Sequence, residues 1–203
     1  MSQIEIGRLL RASTTGCVVG CKITNQSALG FGEMVVVPLD EKITIFGLIH
    51  DIHIDDDGLV RQLVTAENIN PAVIEDNRIN RNVPLEVGVL FLGHSRDGKI
   101  LHSLPPRPPL SLDTIYPLTE TQLIEFTTAD HFGYFRHILR DPALPIAEML
   151  SAHIRNVASV QAKHHRPEWI HDATREIITL LRDDYVALNS VLNALADIDL
   201  YQE

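Results

Sequence analysis

A proline-rich segment in the middle of the chain is the feature that most constrains its fold. Four of the five residues from position 105 to position 109 are prolines. Each proline ring locks φ and removes a backbone donor, so we expect an extended, semi-rigid spacer here. The segment predicts a boundary between two parts of the 203-residue chain, and the hydrophobic pattern differs on its two sides.

The part before the boundary predicts β-structure. Short runs rich in β-branched residues alternate with turn sequences such as Thr14-Thr15-Gly16 and Arg96-Asp97-Gly98. The predicted strands are 4–12, 17–23, 33–39, 43–54, 59–65 and 87–93. We expect the acidic run 55–57 at a hairpin tip and a short helical turn from Pro71, capped by Asn70. This pattern is typical of an antiparallel barrel or sandwich.

The part after the boundary predicts helices, because its hydrophobic period changes from two to about 3.6. The predicted helices are 120–126, 129–139, 146–163 and 168–200. Pro117, Pro142, Pro145 and Pro167 fall outside them, as helix starts and stops should. The sequence therefore predicts an α+β fold, with an N-terminal antiparallel β-barrel over 1–104, a proline-rich linker over 105–118 and an α-helical domain over 119–203.

The charge balance argues against an anionic partner. The chain has 17 basic and 27 acidic side chains and a net charge of −10, the wrong sign for a protein that binds phosphates unaided. No apolar run reaches the ~20 residues needed to span a bilayer, and the N-terminus lacks signal-peptide features. We expect a cytoplasmic protein with no direct nucleic-acid and no membrane partner.

Sequence motifs assign no catalytic residue and no cofactor. The chain has no glycine-rich phosphate loop followed by Lys and Ser or Thr, and no Gly-x-Ser-x-Gly nucleophile elbow. Cys17 and Cys21 are too far apart on one strand for a disulfide, so both are expected to be buried and reduced. A hydrolase with paired carboxylates stays open, since residues distant in sequence can converge in space.

One histidine segment invites a metal hypothesis. Strand alternation places Asp51, His53 and Asp55 on one face, opposite Ile52 and Ile54. Such a face could hold a divalent cation, but a solvated polar face predicts the same residues. The sequence therefore assigns no metal ligands.

The last predicted helix carries an apolar stripe that repeats every seven residues. Two interpretations are open: packing against helix 146–163 as a helical hairpin, and docking to a second chain or another partner. Asp184 is the one charged position in the repeat. The candidate interface residues are Ile170, Ile177, Leu181, Asp184, Leu188, Val191 and Leu195.

Three motifs of the first part resemble a known family. They are Ile6-Gly7-Arg8-Leu9-Leu10, Gly32-Glu33-Met34-Val35-Val36-Val37 and Ile45-Phe46-Gly47-Leu48-Ile49, followed by the proline-rich exit. Over residues 1–126 the chain resembles the HAS barrel, which HerA-type DNA-translocating ATPases share with the N-terminal domains of ATP synthase subunits. Where such an ATPase has its nucleotide-binding core, this chain has helices instead.

The resemblance implies an architectural role, because in that family the barrel sits at one end of a ring and mediates subunit contacts. We expect a non-catalytic assembly or adaptor protein that forms a homo-oligomer or docks on a separate HerA-type ATPase. An enzyme of unassigned type, with converging carboxylates and histidines, is the alternative. An accessory factor in DNA processing is a third possibility. Exposed apolar patches on the barrel and terminal helix would favour assembly.

Overall fold

The N-terminal half of the chain is a closed antiparallel β-barrel of six strands. The computed structural model describes residues 4–22, 30–55, 58–66, 68–79, 84–141 and 144–196. Around the barrel the strands follow the order β1, β2, β5, β4, β3 and β7, and β7 pairs with β1 to close the ring, while β6 extends β5 as a hairpin. The strands are β1 (Gly7–Ala12), β2 (Gly16–Cys21), β3 (Met34–Pro38), β4 (Ile43–Ile54), β5 (Leu85–Arg96), β6 (Lys99–Leu101) and β7 (Thr114–Pro117).

Alternate residues of these strands fill the barrel interior. The inward side chains are mostly β-branched or small, as a narrow barrel requires. Both cysteines are free and buried, and burial raises the pKa of Cys17 to about 12 and that of Cys21 to about 11, so these thiols stay protonated. The interior cluster includes Leu9, Val19, Val35, Val37, Ile45, Ile49, Val87, Val89, Phe91 and Ile115.

The helical half covers one outer wall of the barrel. Thr119 and Gln122 form a capping box that fixes the start of the first of these helices, and a one-turn 3-10 helix (Asp130–Phe132) follows it. The longest helix lies at the centre of the layer and contacts the four helices around it. The helices of this half are α3 (Glu120–Thr128), α4 (Phe135–Leu139), α5 (Ile146–Lys163), α6 (Trp169–Leu180) and α7 (Tyr185–Ala196). Two further helices, α1 (Gly58–Val64) and α2 (Pro71–Ile79), lie between β4 and β5 in the sequence.

A single apolar core joins the two halves. Outward-facing residues of β3, β4 and β5 pack with buried residues from α3 to α7 in one continuous cluster. Phe46 of the barrel wall stacks on Phe126 of α3, with ring centroids 4.6 Å apart. The predicted α+β class, with a barrel followed by helices, is confirmed. None of the helices in the described part of the chain is both long and apolar enough to cross a bilayer.

Three predicted elements are wrong. The predicted helix 129–139 is divided into the 3-10 helix Asp130–Phe132 and α4 (Phe135–Leu139), because the backbone of residues 130–132 has positive φ. Residues 59–64 do not form a strand but belong to α1, and Thr65 follows that helix in a turn. The apolar residues of this segment recur in the sequence at a spacing of four, which is a helical period. The predicted helix 168–200 ends at Leu180, and a separate helix begins at Tyr185. The acidic run 55–57 is therefore not a hairpin tip, because the segment that follows it is a helix and not a strand. Asp56 and Asp57 themselves, and the predicted helix end at Leu200, lie outside the described residues.

Other expectations agree with the structure or extend it. The helix at Pro71 is confirmed and runs to Ile79, and the Ala72 amide donates to Asn70 Oδ1 at 2.9 Å. β7 lies inside the predicted linker 105–118, where it forms part of the barrel wall. The domain boundaries themselves stay a prediction.

Gly32 fixes the distance between the barrel and α5. Its φ is +79°, and a Cβ added there would lie 2.6 Å from Ala152 Cβ and 2.9 Å from the His153 nitrogen. The backbone before β3 therefore rests directly on α5. Gly98, at the β5–β6 turn, has the same φ, but a Cβ there would meet nothing within 4 Å.

Substitutions at these two glycines distinguish the cost of positive φ from the cost of close packing, because both have the same φ but only Gly32 has close neighbours. We expect Gly98→Ala to cost about 1 kcal/mol, because L-residues disfavour positive φ. Gly32→Ala should cost about 2 to 4 kcal/mol, since overpacking adds to the same strain. Urea denaturation of both variants measures the difference. Equal losses would show that α5 does not press on Gly32.

Candidate functional site

The stripe residues of the terminal segment pack mainly within the chain. Ile177, Leu181 and Val191 are buried, and Ile170, Leu188 and Leu195 are half-buried against the same core. Ser151 of α5 donates to the Ala194 carbonyl of α7 at 2.8 Å, which links the two helices. In the structure, therefore, α6 and α7 pack against α5 within the same chain. Contact of these residues with another chain stays a prediction.

Asp184 is exposed and directly precedes α7. Its Oδ1 accepts a hydrogen bond from the Ala187 amide at 3.0 Å, three residues on. This is an N-cap, which satisfies one of the free amides of the first helical turn and places a negative charge at the positive end of the helix dipole. The one charge in the stripe therefore marks a helix start.

The cap predicts the result of changing Asp184. Asp184→Ala should lower the free energy of unfolding by about 1 kcal/mol, because an N-cap is lost. Asp184→Asn keeps a capping oxygen and should cost only a few tenths of that. Thermal denaturation of both variants is the measurement. A loss of several kcal/mol in both would indicate instead a charge paired across an interface.

His102 ties the end of β6 to the helical layer. Its Nε2 lies 3.0 Å from the Phe126 carbonyl, and its own carbonyl accepts from His137 Nε2 at 3.0 Å and from the Arg136 guanidinium. A carbonyl only accepts, so Nε2 of His102 carries the proton. Burial lowers the pKa of both His102 and His137, which favours neutral rings. These two histidines hold backbone carbonyls.

Another buried histidine lies at the contact of α5 with the barrel. His153 is fully buried, and its Nε2 lies 3.1 Å from the Tyr134 hydroxyl. Burial lowers the pKa of His153 to about 4 and raises that of Tyr134 well above its usual value. The pair is therefore neutral near pH 7, and it packs edge to face with ring centroids 5.6 Å apart.

The burial of His153 predicts acid sensitivity. In the unfolded chain this ring takes a proton below about pH 6.5, whereas the folded chain resists protonation down to about pH 4. The unfolded state thus binds more protons in this window, and stability falls as the pH falls through it. The full effect is roughly 3 kcal/mol.

The test compares variants of a buried and an exposed histidine. His153→Gln keeps a partner for the Tyr134 hydroxyl but cannot titrate, so its urea stability should vary less between pH 6.5 and pH 4 than the wild type does. His171→Gln, on the exposed face of α6, is the matched control and should keep the wild-type slope. Parallel curves for all three proteins would contradict the assignment.

The histidine segment of β4 keeps the face predicted from strand alternation. His53 Nδ1 lies 2.7 Å from Asp51 Oδ2, and Nε2 lies 3.9 Å from Asp55 Oδ1. The structure adds Glu86 of β5, whose Oε2 is 3.8 Å from the same Nε2. Local sequence could not indicate this carboxylate, because it lies on a different strand.

Three exposed leucines lie on β1 and on the turn bonded to it, and we call them the β1 patch: Leu10, Leu110 and Leu112. The turn before β7 is bonded to β1, with the Leu112 amide donating to the Leu9 carbonyl at 2.8 Å and the Ser111 hydroxyl to the Leu10 carbonyl at 3.3 Å. Leu110 and Leu112 are each 67% exposed. Exposed apolar residues on neighbouring segments are candidates for an interaction site.

A second group of exposed apolar residues lies on the terminal helices. Tyr185 and Val186 begin α7 and are largely exposed, and Ile178 and Leu180 lie at the end of α6. These are not the residues of the sequence stripe but their neighbours. Apolar surface therefore remains on both halves of the chain, on residues that the heptad pattern did not select.

No protein-family model and no curated protein matches this chain. The likeness of the barrel to the HAS family therefore stays a resemblance carried by its three motifs.

Proposed function

We propose that this chain is a non-catalytic assembly protein that forms a homo-oligomer through the β1 patch. The observation that carries the proposal is Leu112. It combines a left-handed backbone, with φ of +73°, and an exposed aliphatic side chain. This position would suit glycine or asparagine on conformational grounds alone.

The conformation of Leu112 has an energetic cost. Positive φ costs a residue with a β-carbon about 1 to 2 kcal/mol. Because the Leu112 side chain is exposed, it gains no burial energy that would offset this cost. Such strain, held by surrounding hydrogen bonds, is typical of functional positions. The bonds from the 110–113 turn to β1 hold Leu112 in place. A partner surface that buries this side chain would account for both its exposure and its strain.

The remaining features of the fold agree with an assembly role. The four buried histidines of the described residues contact backbone carbonyls or a tyrosine, which are structural roles. The shared core makes barrel and helices a single body, so a contact at the barrel positions the helices as well. The HAS resemblance implies barrel-mediated subunit contacts, and it makes a separate HerA-type ATPase the other partner to test.

Removing the Leu112 side chain tests the proposal. We expect the wild type to exceed the 22.7 kDa of one chain by light scattering at high micromolar concentration, and Leu112→Gly to be monomeric. At protein concentrations low enough for both proteins to be monomeric, the variant should unfold at an equal or higher urea concentration than the wild type, because glycine accepts positive φ. Raising the salt concentration should not dissociate the oligomer. Salt does not weaken apolar contacts, and it screens the repulsion between the acidic chains.

The control is an exposed apolar residue on the other half. Val186→Ser removes a side chain of similar exposure from α7 and should leave the mass unchanged. A fall in mass for Val186→Ser but not for Leu112→Gly would move the interface to the terminal helices. A wild-type monomer would contradict the homo-oligomer, and co-elution of that monomer with a HerA-type ATPase would then support the other partner.

A further inference from the structure

We propose that His53, Asp55 and Glu86 bind a divalent first-row transition metal ion such as Zn²⁺ on the outside of the barrel, where the end of β4 meets the start of β5. The proposal is independent of the assembly role. It rests on one imidazole and two carboxylates that the fold brings together. His53 and Glu86 lie on the paired strands β4 and β5, and Asp55 directly follows β4.

The three donors already converge. His53 and Glu86 are cross-strand partners in the β4–β5 ladder. One donor atom from each of the three residues lies within 4.8 Å of those of the other two. In a tetrahedral zinc site with bonds near 2.1 Å, ligand atoms are about 3.4 Å apart. The distances of 3.8 and 3.9 Å from His53 Nε2 to the two carboxylates therefore need a contraction of roughly half an ångström, which side-chain rotation supplies.

Asp51 orients the imidazole. Its Oδ2 lies 2.7 Å from His53 Nδ1, so it accepts the Nδ1 proton and leaves the Nε2 lone pair directed to the other two carboxylates. Histidine ligands of metal ions are commonly held by a carboxylate in this way, which fixes their tautomer. A β-bulge between Ile49 and Asp51 precedes this part of β4. Bulges re-aim the side chains that follow them.

Glu86 is the unusual member of the cluster, because it is a carboxylate only 9% exposed on the outer wall of a barrel. Its Oε2 receives a hydrogen bond from the Arg11 guanidinium at 3.1 Å, and the Arg11 side chain is largely exposed. A nearly buried carboxylate needs compensating positive charge. Arg11 supplies it in the structure, and a cation bound between Glu86 and Asp55 would supply it directly. Arg11 thus competes with the metal.

The donor set selects the class of ion. One imidazole nitrogen with two carboxylate oxygens suits Zn²⁺ or a similar transition metal, whereas Ca²⁺ and Mg²⁺ prefer oxygen ligands throughout. Three protein ligands leave a fourth position for water.

Calorimetric titration of Zn²⁺ into the chelator-treated full chain tests the site. We expect one equivalent to bind at this site. His53→Ala and Glu86→Gln should each weaken it at least tenfold, and Asp51→Asn about tenfold by loosening the ring. Arg11→Gln should bind more tightly than the wild type, because a competing cation is gone. A general loss of structure would not weaken zinc binding in His53→Ala and Glu86→Gln while strengthening it in Arg11→Gln.

His164→Ala is the matched control. His164 Nε2 lies 3.1 Å from Glu120 Oε2, an exposed pair outside any three-donor cluster of the described residues, so this variant should keep the wild-type affinity. Circular dichroism of each variant without metal confirms its fold. Zinc affinity that is unchanged in both His53→Ala and Glu86→Gln would overturn the proposal, as would the absence of binding to the wild type at millimolar zinc.

Discussion

The apolar contact between the outer wall of the barrel and the helical layer is the constraint on which the rest of the structure depends. A small barrel is expected to be apolar inside and polar outside, but β3, β4 and β5 carry apolar side chains on both faces, such as Phe46 and Leu48 outward and Ile45 and Ile49 inward. Water cannot cover such a wall at low cost. The helices must therefore pack on it, and Phe126, Tyr134 and Phe135 are among the large side chains that become fully buried in that contact.

This contact also determines which polar groups are buried. His102 and His137 lie in it because the chain passes from the barrel to α4 there, and backbone carbonyls left unpaired by that passage need partners. His153 lies in it as the partner of the Tyr134 hydroxyl. The indole of Trp169 likewise donates to the Thr127 carbonyl at 3.2 Å. Gly32 belongs to the same contact, since α5 leaves no room for a side chain at that position. Stability and acid sensitivity therefore have a common origin.

The proposed functions use the surfaces that this contact leaves open. The β1 patch and the His53–Asp55–Glu86 cluster belong to parts of the barrel wall outside the shared core. A rigid barrel is a suitable support for both, because paired strands hold donors and exposed side chains more precisely than a free loop does. The β1 patch depends on the turn before β7, and the cluster depends on the register of β4 with β5.

The sequence alone determined the elements whose hydrophobic period is unambiguous, such as β4 and α5, whose predicted bounds match the structure, and with them the order of a barrel followed by helices. Tertiary structure decided the rest. β7 has only four residues beside a proline-rich segment, and it is a strand because β1 and β3 offer free backbone groups that it completes. The seven-residue repeat continued through Asp184 and so could not show that this residue caps a new helix. Glu86 meets His53 only through strand register. Short-range periodicity reports which face of an element is apolar, but partners distant in sequence are selected by packing.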